Sequence, residues 1–201
     1  MKEIYTARNI QYDISPLIAE RWSPRAFTGE KIKQEALLPI LEAARLAPSN
    51  GNSQPWRFIY AHRETDEWDL LFELLVPSNQ EWVKNASVLF LILSRRIDDQ
   101  GRDTGNQSFD TGAAWGFMTL EASRRNTPLH GMAGFDYERA KAKFQLGDNY
   151  KVEAMAALGV CGNIENLSEK LRAREKPNSR KSIDEISIEA KQASQWLACD
   201  S

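Results

Sequence analysis

The chain has 201 residues, 42% of them hydrophobic and 27% charged, with a formal net charge of −2. That length supplies one full core, and the composition excludes a disordered chain. The near-neutral balance gives no footprint for nucleic acid, and the longest apolar run, Val88 to Leu93, is too short to cross a membrane.

No repeat or linker divides the sequence, so residues 1–201 read as a single domain. Met1 to Tyr5 lack the apolar core of a secretory signal. The cysteines, Cys161 and Cys199, lie far apart and show no metal-ligand spacing. They read as reduced thiols of a cytoplasmic protein, with Cys161 buried in an apolar run.

In chain order, a helix is expected over about Ser15 to Arg21. Glu35 to Leu46 carries a helical stripe of Leu37, Leu38, Leu41, Ala44 and Leu46, with Pro39 near enough to its start to be tolerated. Arg57 to Ala61 reads as a strand. Thr65 is placed to N-cap an amphipathic helix running to Leu75. Ser87 to Ser94 is short and nearly all apolar, the pattern of a fully buried strand. Ile97 to Gln107 is a polar loop. Its acids Asp98, Asp99 and Asp103 lack a convergent set of oxygen ligands and read as solvated. Ser108 to Asn126 is a long helix, apolar on much of its circumference, which suits a central position or a subunit interface. Asp136 N-caps a helix to Gln145. Val152 to Val160 reads as a second buried strand, and Glu169 to Arg174 as a short exposed helix. The tail carries Trp196, which needs a surface to bury against. Helices and strands mix without regular βαβ alternation, which favours an α+β fold.

Four segments could carry chemistry. In Arg21-Trp22-Ser23-Pro24-Arg25, two guanidinium forks flank a hydroxyl, a donor set matched to phosphate oxygens; the other reading is a pair of solvated arginines. The stretch Ala47-Pro48-Ser49-Asn50-Gly51-Asn52-Ser53-Gln54-Pro55-Trp56 offers amides and hydroxyls to the edge of a planar heterocycle. It can equally be a well-capped helix-to-strand turn. In His130 to Asp136, Gly131 and Gly134 precede a capped helix and leave backbone N–H groups approachable. His130 itself suits a structural role better than that of a base. Asn178-Ser179-Arg180-Lys181 is a late basic run. There is no nucleophile elbow, P-loop or dinucleotide fingerprint, so in an enzyme a cofactor would carry the hard step.

Taken in this order, the segments resemble the FMN-dependent nitroreductase family. Arg21, Ser23 and Arg25 match its R-x-S-x-R/K element. Pro48, Ser49, Asn52, Gln54, Pro55 and Trp56 match its P-S-x-x-N-x-Q-P-W loop. Asn79 and Trp82 match N-x-x-W, Gly134-Phe135-Asp136 match G-F-D, Leu158-Gly159 match the L-G strand end, and Arg180 matches a late arginine. The resemblance covers roughly residues 15 to 186.

The resemblance implies an α+β fold, with a mixed, mainly antiparallel sheet flanked by helices in an intertwined homodimer. It implies that Arg21, Ser23, Arg25 and Arg180 hold the FMN phosphate. Pro48, Ser49, Asn50 and Asn52 would reach the flavin of the other subunit, with Gln54, Pro55 and Trp56 as their frame. Asn79 would contact the pyrimidine edge, and the backbone of Ala133 and Gly134 would lie near N5. Ala133 stands where many members carry glutamate, and Asn178 where some carry lysine. The implied activity is ping-pong hydride transfer from NADH or NADPH through FMN to a nitroaromatic, quinone or related acceptor. The alternatives are a non-catalytic flavin-binding protein, or a flavin enzyme of reductive dehalogenation or flavin fragmentation.

Overall fold

The computed structural model describes residues 7–194. The chain divides into two compact units: residues 21–176, and a smaller unit made of the segments before Arg21 and after Lys176. Trp196 and Cys199 lie outside the described residues.

The helices are α1 (Pro16–Glu20), α2 (Gln34–Arg45), α3 (Asp66–Phe72) and α4 (Pro77–Val83). They continue with α5 (Gln107–Arg124), α6 (Tyr137–Lys143), α7 (Glu169–Arg172) and α8 (Ile183–Ile186). Four strands form the sheet: β1 (Trp56–His62), β2 (Val88–Arg95), β3 (Leu129–Met132) and β4 (Tyr150–Leu158). Their order is β1-β2-β4-β3, and every pair is antiparallel. Among the described residues no helix is long and apolar enough to cross a membrane.

The sheet separates two apolar clusters. Leu37, Ile40, Ala114 and Met118, from α2 and α5, pack with Phe90, Ile92 and Leu158 on one face. Trp68, Leu71, Trp82 and Ala140, from α3, α4 and α6, pack with Leu89, Leu91 and Met155 on the other. Residues Val88 to Ser94 are all buried, because β2 is covered on both faces; that explains its unbroken apolar run. The caps form as the sequence implies. Thr65 Oγ1 accepts from Trp68 N at 3.2 Å, and Asp136 Oδ1 from Arg139 N at 2.9 Å.

Some expectations are corrected. Pro39 lies inside α2, in its second turn, because the helix begins at Gln34. It leaves the Glu35 carbonyl without its helical donor, but Glu35 is exposed, so water can serve it. Leu129–Met132, for which the sequence offers no strand pattern of its own, is a strand held by pairing with β4. Cys161 is exposed, because β4 ends at Leu158 and leaves it outside the sheet. The helix α5 buries only one face, and on another Phe109 is 82% and Phe117 43% exposed. In the polar loop the Asp98 side chain is only 4% exposed in its pair with Arg102, whereas Asp99 and Asp103 stay exposed beside Arg95 and Arg96.

The strand β4 also carries a bulge. Ile92 pairs with Ala154 and Leu93 with Val152, so Glu153 has no partner on β2.

Beyond β4 the chain pairs with residues 26–28. Thr28 N donates to Val160 O at 3.0 Å and Gly162 N to Ala26 O at 2.7 Å, around a Phe27–Cys161 bridge. Phe27 is 2% exposed, and a Cβ on Gly159 would sit 2.6 Å from its ring. Gly159→Ala is therefore expected to lower unfolding stability by about 2 kcal/mol, read from the urea midpoint at unchanged slope.

Candidate functional site

The segment Arg21–Arg25 leads directly into that seam and is clamped from two directions. The Glu175 carboxylate, only 5% exposed, accepts the backbone N–H of Arg25 at 2.7 Å and of Ala26 at 2.8 Å. It also stands 3.9 Å from the Arg25 guanidinium. That guanidinium lies 6.0 Å from the Trp82 ring centroid, within cation–π range. Burial, and then Arg174, pull Arg25 below its ordinary pKa against the opposing effect of Glu175.

The second clamp is His130 of β3. Its Nδ1 lies 2.9 Å from the Pro24 carbonyl, which can only accept, so Nδ1 carries the proton. Its ring packs on Trp82 at 4.5 Å between centroids. Burial is the main cause that pulls its pKa down to about 4, with Arg25 adding to it against the pull of the Pro24 carbonyl. His130 is thus a neutral clip between strand and turn at pH 7, and the structural reading holds. Within the turn, Arg21 Nη1 donates to Ser23 Oγ at 3.3 Å.

Asn79, Ala133 and Gly134 come together at the end of β3. Asn79, on α4, donates from Nδ2 to Gly134 O at 2.9 Å, and Val76 N donates to the same oxygen at 3.1 Å. A Cβ on Gly134 would stand 2.8 Å from Asn79 Nδ2 and 3.0 Å from Val76 Cγ2, so any larger residue would push the Asn79 amide from its place. The N–H groups of Phe135 and Asp136 are committed to Ala133 O and Leu74 O. Ala133 is exposed.

The loop from Pro48 to Trp56 is anchored on α5 and β1. Asn50 to Asn52 form a single 3₁₀ turn. Ser49 Oγ accepts from Gln54 N at 3.0 Å, and Gln54 Nε2 donates to Asn52 O at 3.1 Å. Asn52 at φ 56° and Gln54 at φ 47° both occupy the left-handed region, a cost of about 1 kcal/mol or more each. Pro55 and Trp56 are buried, and Arg95 N donates to Pro55 O at 2.9 Å, which makes them the frame. Asp110 is the anchor that sequence reasoning missed. It lies in the first turn of α5, 4% exposed, and Oδ2 accepts Asn50 N at 3.0 Å. A lone acid in an otherwise apolar helical stretch was its only signal. Pro48, Asn50 and Asn52 are exposed and Ser49 is half-buried.

Arg180 belongs to the smaller unit. There it donates to the carbonyls of Asn178 at 3.3 Å and Ser179 at 2.9 Å. It borders a cavity of about 410 Å³ with Arg8, Tyr12 and Ile18.

The fold is thus an antiparallel α+β sheet that carries a clamped arginine turn and a strained, amide-rich loop. Residues 18–76 match the model of the nitroreductase family. A solved oxidoreductase containing FMN is 41% identical, over 91% of this chain and 94% of that one, with a TM-score of 0.87. An uncharacterized 15.4 kDa protein of Mycolicibacterium smegmatis is 30% identical over 57% of this chain and 77% of its own. The oxygen-insensitive NADPH nitroreductase of Helicobacter pylori (strain ATCC 700392 / 26695) is 37% identical over 40% of this chain and 38% of its own. The chain belongs to the nitroreductase family.

The clip at His130 has a pH signature. Its folded pKa lies below that of the unfolded chain, so the stabilisation is complete above about pH 6.5 and is lost as pH falls toward about 4. His130→Asn, which can still donate to Pro24 O, is expected to flatten the stability slope between these limits. Urea midpoints across that range, for both proteins, check it.

Proposed function

We propose that the protein is an FMN-dependent oxidoreductase that works as a homodimer with the flavin at the interface. Bound FMN would supply two-electron chemistry, a hydride from NADH or NADPH passing through it to a nitroaromatic, quinone or related acceptor in a ping-pong cycle. The observation that carries the reading is the Asn79–Gly134 contact at the end of β3, adjoining a strand that clips the Arg21–Arg25 turn through His130. The likeness to an FMN-containing oxidoreductase supports the cofactor. The named activity of the Helicobacter pylori relative supports the donor.

The donor set fits a flavin phosphate. Arg21 and Ser23 present a fork and a hydroxyl side by side. Arg25 stays positive and fixed over Trp82, with Glu175 holding the turn open by its backbone. Asn79 is oriented by Gly134, which leaves its amide oxygen as the acceptor for a ring N–H. The strained loop is already ordered, so Ser49, Asn50 and Asn52 can meet a ligand at little further entropic cost. The exposed Phe109 and Phe117 on α5 support the dimer.

Purified protein incubated with FMN is expected to be yellow, and NADH or NADPH without air to bleach the visible flavin band. Protein that stays colourless overturns the proposal; bound flavin that no nicotinamide bleaches points instead to a flavin-binding protein without turnover. Asp110→Ala, which strands the Asn50 N–H, is expected to weaken FMN binding about tenfold in a fluorescence titration. Phe109→Glu is expected to shift the light-scattering mass from dimer toward monomer.

A further inference from the structure

The bulge in β4 serves a purpose that the flavin reading leaves unused. Regular alternation would place Glu153 on the same face as Met155, among Leu91 and Leu93. The extra residue turns it to the α5 side instead. There its Oε1 accepts Ser94 Oγ and Ser108 Oγ, each at 2.6 Å. Lys151 Nζ donates to Ser108 Oγ at 2.8 Å and stands 3.1 Å from Glu153 Oε2. Burial alone would raise the Glu153 pKa, but these hydroxyls and the ammonium outweigh it and hold it below its ordinary value. Glu153 is therefore an anionic acceptor, not a proton donor, at neutral pH. Lys151 is 59% exposed, so water screens its charge.

Glu153 and Ser108 line a cavity of about 380 Å³ that runs along β3 to Ala133. One wall is the Trp115 ring, which packs on Gly131. Thr111 also lines it; its Oγ1 is buried with no hydrogen-bond partner among the described residues. Roughly 150 Å³ holds a benzene ring, so a substituted monocyclic arene fits. The cavity thus combines an aromatic wall, an unmet hydroxyl and a fixed carboxylate.

We infer that this cavity is the seat of the electron acceptor, and that Glu153 selects monocyclic arenes bearing an N–H or O–H donor over arenes bearing a carboxylate. The inference rests on the flavin reading for the reaction and on the cavity for the choice. A donor group meets an acceptor already held in place, whereas a carboxylate meets like charge in a partly dry site.

The test uses FMN-loaded protein with 4-nitrobenzamide, 4-nitrobenzylamine and 4-nitrobenzoate. The expected kcat/KM is at least about tenfold higher for the first two, chiefly through KM, and Glu153→Gln should bring the three within about threefold. A ratio unchanged by Glu153→Gln overturns the inference, as does preference for the carboxylate. If that variant fails to fold, Thr111→Val carries the test, because it breaks no internal hydrogen bond. A raised KM for 4-nitrobenzamide supports the inference and an unchanged one overturns it. Calorimetric titration with benzylamine and benzoate needs no turnover. Preference for benzylamine in a protein that reduces nothing upholds the cavity and defeats the flavin reading. Turnover without preference does the reverse.

Discussion

Everything around the candidate site hangs from the short antiparallel seam between residues 26–28 and 160–162. Two backbone hydrogen bonds and one buried ring hold it; Gly159 makes room for that ring and Gly162 for the backbone of Phe27 and Thr28. Because Phe27 is fixed at the end of β4, the preceding arginine turn has a defined origin. The next constraints act on that turn within a few residues. Glu175 takes the N–H groups of Arg25 and Ala26, and His130 takes the carbonyl of Pro24. A segment with a proline and two like charges is thereby held in one conformation without a strand or helix of its own. Two backbone donors meet Oε1 of the buried Glu175 side chain, and the Arg25 guanidinium stands 3.9 Å from Oε2 as its counter-charge.

The loop after α2 shows a different economy. Its left-handed Asn52 and Gln54 are unfavourable locally and persist because Pro55, Trp56 and Asp110 fix both ends. The strain is carried at folding, not at binding. The same helix that supplies Asp110 presents Phe109 outward and Met118 inward, so one element serves core, loop and surface at once.

Much of this was legible in the chain. β2 announces itself by an unbroken apolar run, the caps Thr65 and Asp136 by their side chains, and the arginine turn and amide loop by composition. What escaped has a common cause. Leu129–Met132 contains a glycine and a histidine and is a strand only because β4 pairs with it, which is a tertiary fact. Cys161 looked buried because apolar neighbours precede it, yet the strand ends three residues earlier. Asp110, Glu153 and Glu175 are acids whose partners lie dozens of residues away, and such residues read as surface from sequence. Only Glu153 and Asp110 gave a hint, by interrupting apolar stretches.

The bulge at Glu153 has a consequence for how the sheet can change. A strand with a side-chain period of two cannot both pair regularly here and aim a carboxylate at α5. Deleting one residue would repair the ladder and send the next polar side chain into an apolar layer. Adding one elsewhere on β2 would bring the strands back into step but move Ser94 off the carboxylate. The irregularity is a counter that ties the length of one strand to the polarity of a cavity wall. Length variation in this strand pair is therefore coupled to the polarity of that wall, as surely as substitution of Glu153 itself.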